Sequence, residues 1–247
     1  ARLTLQGDEC CPVWSPNGES IAIRSHVSGA SEIVRIPVRG TGERERLAAR
    51  PGTIALPTSW SPLNVIAFTD GNNSNNSLFE AWTLSLDDRT PKPLLQGTLS
   101  FNHQEFSPDG HWIAYSSAES GTQEVYVQAF PGPGEKIRIS TNGGNSPAWA
   151  GNGRELFYQR RADTGTQIMA VDIDTRKGID AGKPHLLFEG PYGVNNPMRG
   201  YDVTPDGQHF VLIRPFIDPA RAAQPPPPPP QMHVILNWTE ELKRRVP

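Results

Sequence analysis

The sequence is short of cysteine, of long apolar runs and of charge of one sign, and each shortage removes a class of protein. Its 247 residues include only two cysteines, Cys10 and Cys11, side by side. Chain neighbours rarely form an unstrained disulfide, so no disulfide framework is expected and the compartment cannot be read from them. No stretch approaches the roughly 20 apolar residues that span a bilayer, so direct membrane insertion is not expected. No secretory leader is visible, and the first residue is Ala rather than Met, the pattern expected of a fragment. Lys and Arg number 23 against 26 Asp and Glu, a net charge of −3. That balance supplies no field to gather nucleic acid, and none is expected as a partner.

Motifs that carry chemistry are missing too. There is no Walker loop, no His-Glu-x-x-His and no Gly-x-Ser-x-Gly elbow. The six histidines, His26, His103, His111, His185, His209 and His233, are scattered without ligand spacing. No metal, no cofactor and no catalytic residue is therefore expected. "DGNNSNNS", from Asp70, is rich in oxygen donors but short of the carboxylates a calcium loop needs. It reads as a polar hairpin tip.

What the sequence does have is turn residues, with 23 Gly and 25 Pro, set between short runs of β-branched and aromatic residues. That mixture predicts many short strands joined by tight turns. The runs repeat. "PVWSPNGESIAIRS", "PTSWSPLNVIAFTD", "HQEFSPDGHWIAYSS", "SPAWAGNGRELFYQR" and "GYDVTPDGQHFVLIR" align on Trp14, Trp60, Phe106, Trp149 and Val203. These anchors are 46, 46, 43 and 54 residues apart. A period in the forties with several strands per unit is the signature of propeller blades.

Within each unit an apolar strand ends in the anchor, and a Ser-Pro-Asp-Gly type of turn follows. An alternating second strand comes next, then a polar turn, a third strand such as "EVYVQAF" and a fourth run such as "HLLFEG". The expected fold is all-β, a propeller of four-stranded antiparallel blades, about five in this chain. Blades are placed near 8–50, 51–97, 98–141, 142–190 and 191–238. Residues 2–7 serve either as the closing strand of the fifth or as the outer strand of a blade further upstream in a larger ring. Residues 217–231 form a proline-rich extended loop, and 239–247 a short C-terminal helix with Thr239 as N-cap. Asp109 is assigned to the turn: Asn or Leu fills its place elsewhere, which a turn tolerates and an acid catalyst does not.

The pattern of an aromatic, Ser-Pro-Asp-Gly, an alternating strand and then "GxxEVYV" resembles the TolB-type, WD-repeat-like propeller repeats. "FPGPG" (Phe130 to Gly134) and "LNWTEELK" (Leu236 to Lys243) sharpen the likeness to the C-terminal propeller of bacterial membrane-linked serine/threonine kinases. The resemblance implies a propeller of six or more blades, attached through a membrane segment to a kinase and lying in the periplasm or otherwise outside the cytoplasm. The chain itself holds no His-Arg-Asp catalytic loop and no Asp-Phe-Gly.

A propeller presents loops on a rigid disc, suited to docking a protein or peptide. Blade geometry puts the loops entering first strands on one face with those joining second to third strands. That face is expected to display Asn102, His103, Gln104, Asn142, Asn145, Tyr192, Asn195, Asn196 and Arg199, beside the "NNSNN" loop. The expected function is non-catalytic sensing or scaffolding by a monomeric domain that binds a protein, peptide or envelope ligand. The alternative is an accessory propeller of a hydrolase or a glycoside-active enzyme, with Glu105 and Asp202 as its carboxylates.

Overall fold

The third repeat's turn closes on its own serine. Ser107 Oγ accepts from Trp112 N at 3.0 Å, and Asp109 Oδ1 accepts the Ser107 hydroxyl at 2.5 Å and His111 N at 3.1 Å. Gly110 N donates to Ser107 O at 2.8 Å with Gly110 at φ 76°. The same closing bond joins Gly18 to Ser15, Asn64 to Ser61, Gly153 to Ala150 and Gly207 to Thr204. Asn64 stands in for glycine at φ 63°, a conformation asparagine tolerates better than most. Asn17, Asn152 and Asp206 each accept the backbone N–H two residues on, as Asp109 does. Asp and Asn do one job here, and it is local.

These turns organise the strands. A computed structural model of the chain describes residues 8–27, 30–39, 43–72, 79–95, 101–163, 165–193 and 199–213. They fall in one unit, Ala1–Arg214. The expected strand at 2–7, the proline-rich loop, the helical tail, most of the "NNSNN" loop, Asn195 and Asn196 lie outside the described residues.

The first sheet runs β1 (Asp8–Trp14), β2 (Ser20–Val27), β3 (Ala30–Pro37) and β4 (Glu45–Pro51). The second runs β5 (Thr53–Ser61), β6 (Val65–Asn72), β7 (Phe79–Ser85) and β8 (Pro91–Leu95). The third has β9 (Phe101–Phe106), β10 (Trp112–Ser117), β11 (Glu124–Ala129) and β12 (Lys136–Arg138). In the fourth, β13 (Asn145–Trp149), β14 (Glu155–Ala162) and β15 (Gly165–Asp174) are followed by β16 (Asp180–Ala181) and β17 (His185–Gly190). Both of the last two pair with β15, β16 at Ile173–Asp174 and β17 along Thr166–Ala170, so the fourth strand is split. A fifth, two-stranded sheet pairs β18 (Tyr201–Val203) with β19 (Phe210–Leu212). Every pairing between these strands is antiparallel, and the all-β expectation holds among the described residues.

Successive sheets pack face to face. One cluster joins Ala22, Ile33 and Leu47 to Ala55, Ile66, Phe68 and Leu84. Tyr115 and Tyr126 meet Ala81, while Phe106 and Ile113 meet Ala67. The other face of the third sheet, with Trp112 and Val127, packs on Trp149, Leu156, Tyr158 and Val171. Phe157 and Ile168 then meet Tyr201, with Phe210 against them. A middle strand covered on both faces has no solvent side, which is why β10 is buried at every position. Tyr115, Tyr158, Phe68 and Phe157 are fully buried, each worth about 1.5–3 kcal/mol in apolar area removed from water. The first strands of successive sheets adjoin one another in turn, β1 to β5 to β9 to β13 to β18, the arrangement that lines a propeller axis.

The cysteines depart from expectation. Cys10 and Cys11 are bonded to each other. The pair still provides no framework, because joining chain neighbours closes no loop of consequence.

Candidate functional site

Four of the strands along the axis, β1, β5, β9 and β13, share an irregularity just ahead of their anchors. In β1, Cys11 and Pro12 together face one residue of β2, between the pairs Cys10–Arg24 and Val13–Ala22. His103 and Gln104 do the same in β9, and Ser146 and Pro147 in β13. β5 carries its extra residue at Thr58. The first bulge residue is left-handed in three cases, with φ 62° at Cys11, 53° at His103 and 55° at Ser146. Three unrelated side chains adopt it, so the position in the sheet, rather than residue type, imposes it. A readable signal was present: proline inside a strand is confined to edges and bulges, and Pro12, Pro57 and Pro147 stand at these places.

Each bulge resets the side-chain alternation of its strand, and a cavity of about 710 Å³ lies along the first strands. Its wall on the β1 and β5 side is mostly apolar, with Trp14 and Trp60 among prolines and only Thr58 and Ser59 bringing hydroxyls. On the other side it carries His103, Gln104, Glu105, Arg199 and Asp202. Trp14 is 59% exposed, whereas Phe106 and Trp149, at the equivalent anchor positions, are each 5% exposed.

Arg199 ties three blades together. Its Nη1 pairs with Glu105 and donates to Pro147 O at 3.1 Å, its Nη2 reaches Asp202 Oδ1 at 2.8 Å, and its Nε donates to Tyr201 O at 3.0 Å. The guanidinium also sits 5.6 Å from the Tyr201 ring centroid. Glu105 is held further by Trp149, whose backbone N–H reaches Oε1 at 3.3 Å. The two carboxylates considered for glycoside chemistry therefore share one cation.

His103 and Gln104 were expected on the loop face; the structure buries them. β9 already begins at Phe101, so they belong to a strand rather than to its entry loop. His103 is 5% exposed, and its Nδ1 lies 3.0 Å from Asn145 Oδ1, which also accepts Ser146 N. Gln104 is 1% exposed, and its Oε1 accepts the hydroxyls of Thr58 and Thr69 at 3.1 and 3.0 Å. Its Nε2 has no partner.

Of the other candidates, Asn102 pairs with Ser116 in the β9–β10 ladder. Asn142 is exposed at φ 66° in the turn before β13. Tyr192 packs edge-on against Phe188, and its carbonyl accepts the Thr166 hydroxyl. The structure thus gathers His103, Gln104, Asn145 and Arg199 along the first strands and leaves Asn142 and Tyr192 apart from them. Asp70, at the head of the polar hairpin, is buried and paired with Arg50, so its carboxylate already has a cation. Among the described residues no group of three or more His, Cys, Asp or Glu is placed to hold a metal.

Residues 4–181 match the family described as the TolB beta propeller domain. An uncharacterized protein of Agrobacterium fabrum is 26% identical over 214 residues, which cover 82% of this chain and 68% of that protein. TolB from Acinetobacter baumannii superposes with a TM-score of 0.66 at 20% identity over 83% of this chain. The chain spans 48% of that TolB's length. A structure assigned as TolB from Agrobacterium tumefaciens gives a TM-score of 0.60 at 19% identity, covering 86% of this chain and 91% of that one. Fold likeness also reaches enzymes, a Mycobacterium tuberculosis puromycin-hydrolyzing peptidase at 14% identity and an oligogalacturonate lyase at 13%. At these identities the structural likenesses establish the fold alone.

Proposed function

The chain belongs to the TolB beta propeller domain family, and from that premise we propose that it is a non-catalytic binding module whose ligand is a protein or peptide. The observation that carries this reading is the state of the charged groups in the axial cavity. Glu105 and Asp202 each pair with Arg199, and five aromatic side chains and six prolines stand among the other residues of the wall. A cavity of about 710 Å³ falls within the range of ligand sites. Aromatic walls give large contact area for little lost side-chain freedom, which suits recognition.

The parent protein is proposed to be a membrane-linked serine/threonine kinase, on the likeness of "FPGPG" and "LNWTEELK" to such proteins. This domain is proposed to lie outside the cytoplasm. Fusing the full-length gene to a reporter active only in the periplasm tests the second point, and a signal only from cytoplasmic reporters overturns it.

The binding reading is tested by selecting displayed peptides against the whole chain. Expected is a set of enriched peptides whose binding is lost in Trp14→Ala. A panel of chromogenic glycosides and peptides is the counter-test. Turnover that Glu105→Gln or Asp202→Asn abolishes overturns the non-catalytic assignment in favour of an enzyme.

A further inference from the structure

We infer that the axial cavity selects a cationic side chain, arginine or lysine, presented by an extended peptide. The inference rests on the binding reading above and names the chemistry of its ligand. Three features of the cavity support it.

The first is charge. The ionised residues on the cavity wall are Glu105, Asp202 and Arg199, two carboxylates against one guanidinium, a net charge of −1. The second is which groups have capacity left. Arg199 has five N–H donors, and they already meet Glu105, Pro147 O, Asp202 and Tyr201 O, so it offers an anion almost nothing. Asp202 is different: its side chain is 69% exposed, and Oδ1 takes both its bonds, from Arg199 and Val203 N. Its Oδ2 remains open to a donor.

The third feature is the opposite wall. Trp14 leaves 59% of its surface exposed and Trp60 lines the same space. Indole faces attract cations and also cover the methylene stem of Lys or Arg. Arg199 over Tyr201 is already a cation–aromatic pair in this cavity. Gln104 adds a reason for a peptide: it lines the cavity, is 1% exposed, and its Nε2 has no partner. A buried donor left unpaired is costly, and a ligand carbonyl would satisfy it.

The test uses the whole chain and four blocked pentapeptides, Ac-Ala-Ala-Xaa-Ala-Ala-NH2, with Xaa Arg, Lys, citrulline or Glu. Affinity is read by calorimetry and by tryptophan fluorescence. The Arg and Lys peptides are expected to bind about tenfold or more tighter than the citrulline peptide, which keeps shape and hydrogen bonding but lacks charge. Their affinity should fall as salt is raised. Asp202→Asn, at an exposed carboxylate, should shrink the Arg-to-citrulline ratio severalfold, with the circular dichroism melt checking that the fold is kept. Equal binding of the citrulline or Glu peptide overturns the cationic preference and leaves the binding module standing. A ratio unchanged in Asp202→Asn, or no binding by any of the four, overturns this site assignment. The peptide selection against the chain then judges the broader reading separately.

Discussion

Tyr201 donates its hydroxyl to the carbonyl of Ser146, 2.8 Å away and across the boundary between the fourth and fifth sheets. Tyr201 is 5% exposed and Ser146 is fully buried, so neither group can turn to water instead. The carbonyl belongs to a bulge residue, whose place in the ladder is irregular. Tyr201→Phe keeps the ring and strands that acceptor. A cost of about 1–3 kcal/mol is expected, read as a lower urea midpoint with an unchanged slope.

The turn at Asp109 gives a sharper pair of outcomes. Asp109→Asn keeps the Oδ1 that accepts from Ser107 and His111, and its stability should stay within about 0.5 kcal/mol of the parent. Gly110→Ala should be far worse. It asks a non-glycine residue to hold φ 76°, and its Cβ would lie 2.6 Å from Ser61 Oγ and 2.9 Å from Leu63 Cγ of the neighbouring turn. Gly18→Ala is the control: φ is 70° there, yet nothing lies within 4 Å of the added carbon. Its cost of about 1 kcal/mol should be exceeded clearly at Gly110. Equal costs in thermal melts would mean that the turns do not interlock.

Those interlocking turns show where sequence reading succeeds and where it stops. The turn chemistry, the anchors and the four-strand order are local, written within a few residues, and all were legible. The loss of proline at Gly151 was also visible but had no local cause. The structure supplies it: a Cβ at Gly151 would lie 2.5 Å from the carbonyl oxygen of Pro205, in the next repeat's turn. Arg199 meeting Glu105 is the same kind of fact. Nothing in the periodicity links residues so far apart, because their meeting depends on how sheets stack. His103 and Gln104 were misplaced for a smaller reason, the start of β9, since strand ends are the least marked feature of a pattern.

Gly151 yields its own prediction. Gly151→Pro would restore the turn motif of the other repeats, and by local rules it should stabilise through a stiffer unfolded chain. Contact with Pro205 reverses the sign. The clash is with backbone, which cannot swing aside, so a loss of about 1–3 kcal/mol is expected. A raised melting temperature would show that the fourth and fifth turns do not touch.

Alkaline pH should loosen the packing between sheets, through tyrosines. Burial pushes the Tyr158 hydroxyl up to about 12, and desolvation also raises Tyr115 and Tyr201 well above the ordinary phenol range. An unfolded tyrosine ionises near 10. Between the two values the folded chain holds protons that the unfolded chain has released, so the stability gradient with pH is negative there. Stability should be level up to about pH 9.5 and fall steadily above about pH 10, as the urea midpoint at stepped pH would record. Tyr158 offers the means to separate this from general alkaline damage. It is fully buried and its hydroxyl has no hydrogen-bond partner, so Tyr158→Phe removes an ionisable group without stranding another. Unlike Tyr201→Phe, it should cost little at neutral pH and should make the alkaline fall shallower. A Tyr158→Phe chain that loses stability with pH as steeply as the parent would exclude buried phenols as the cause.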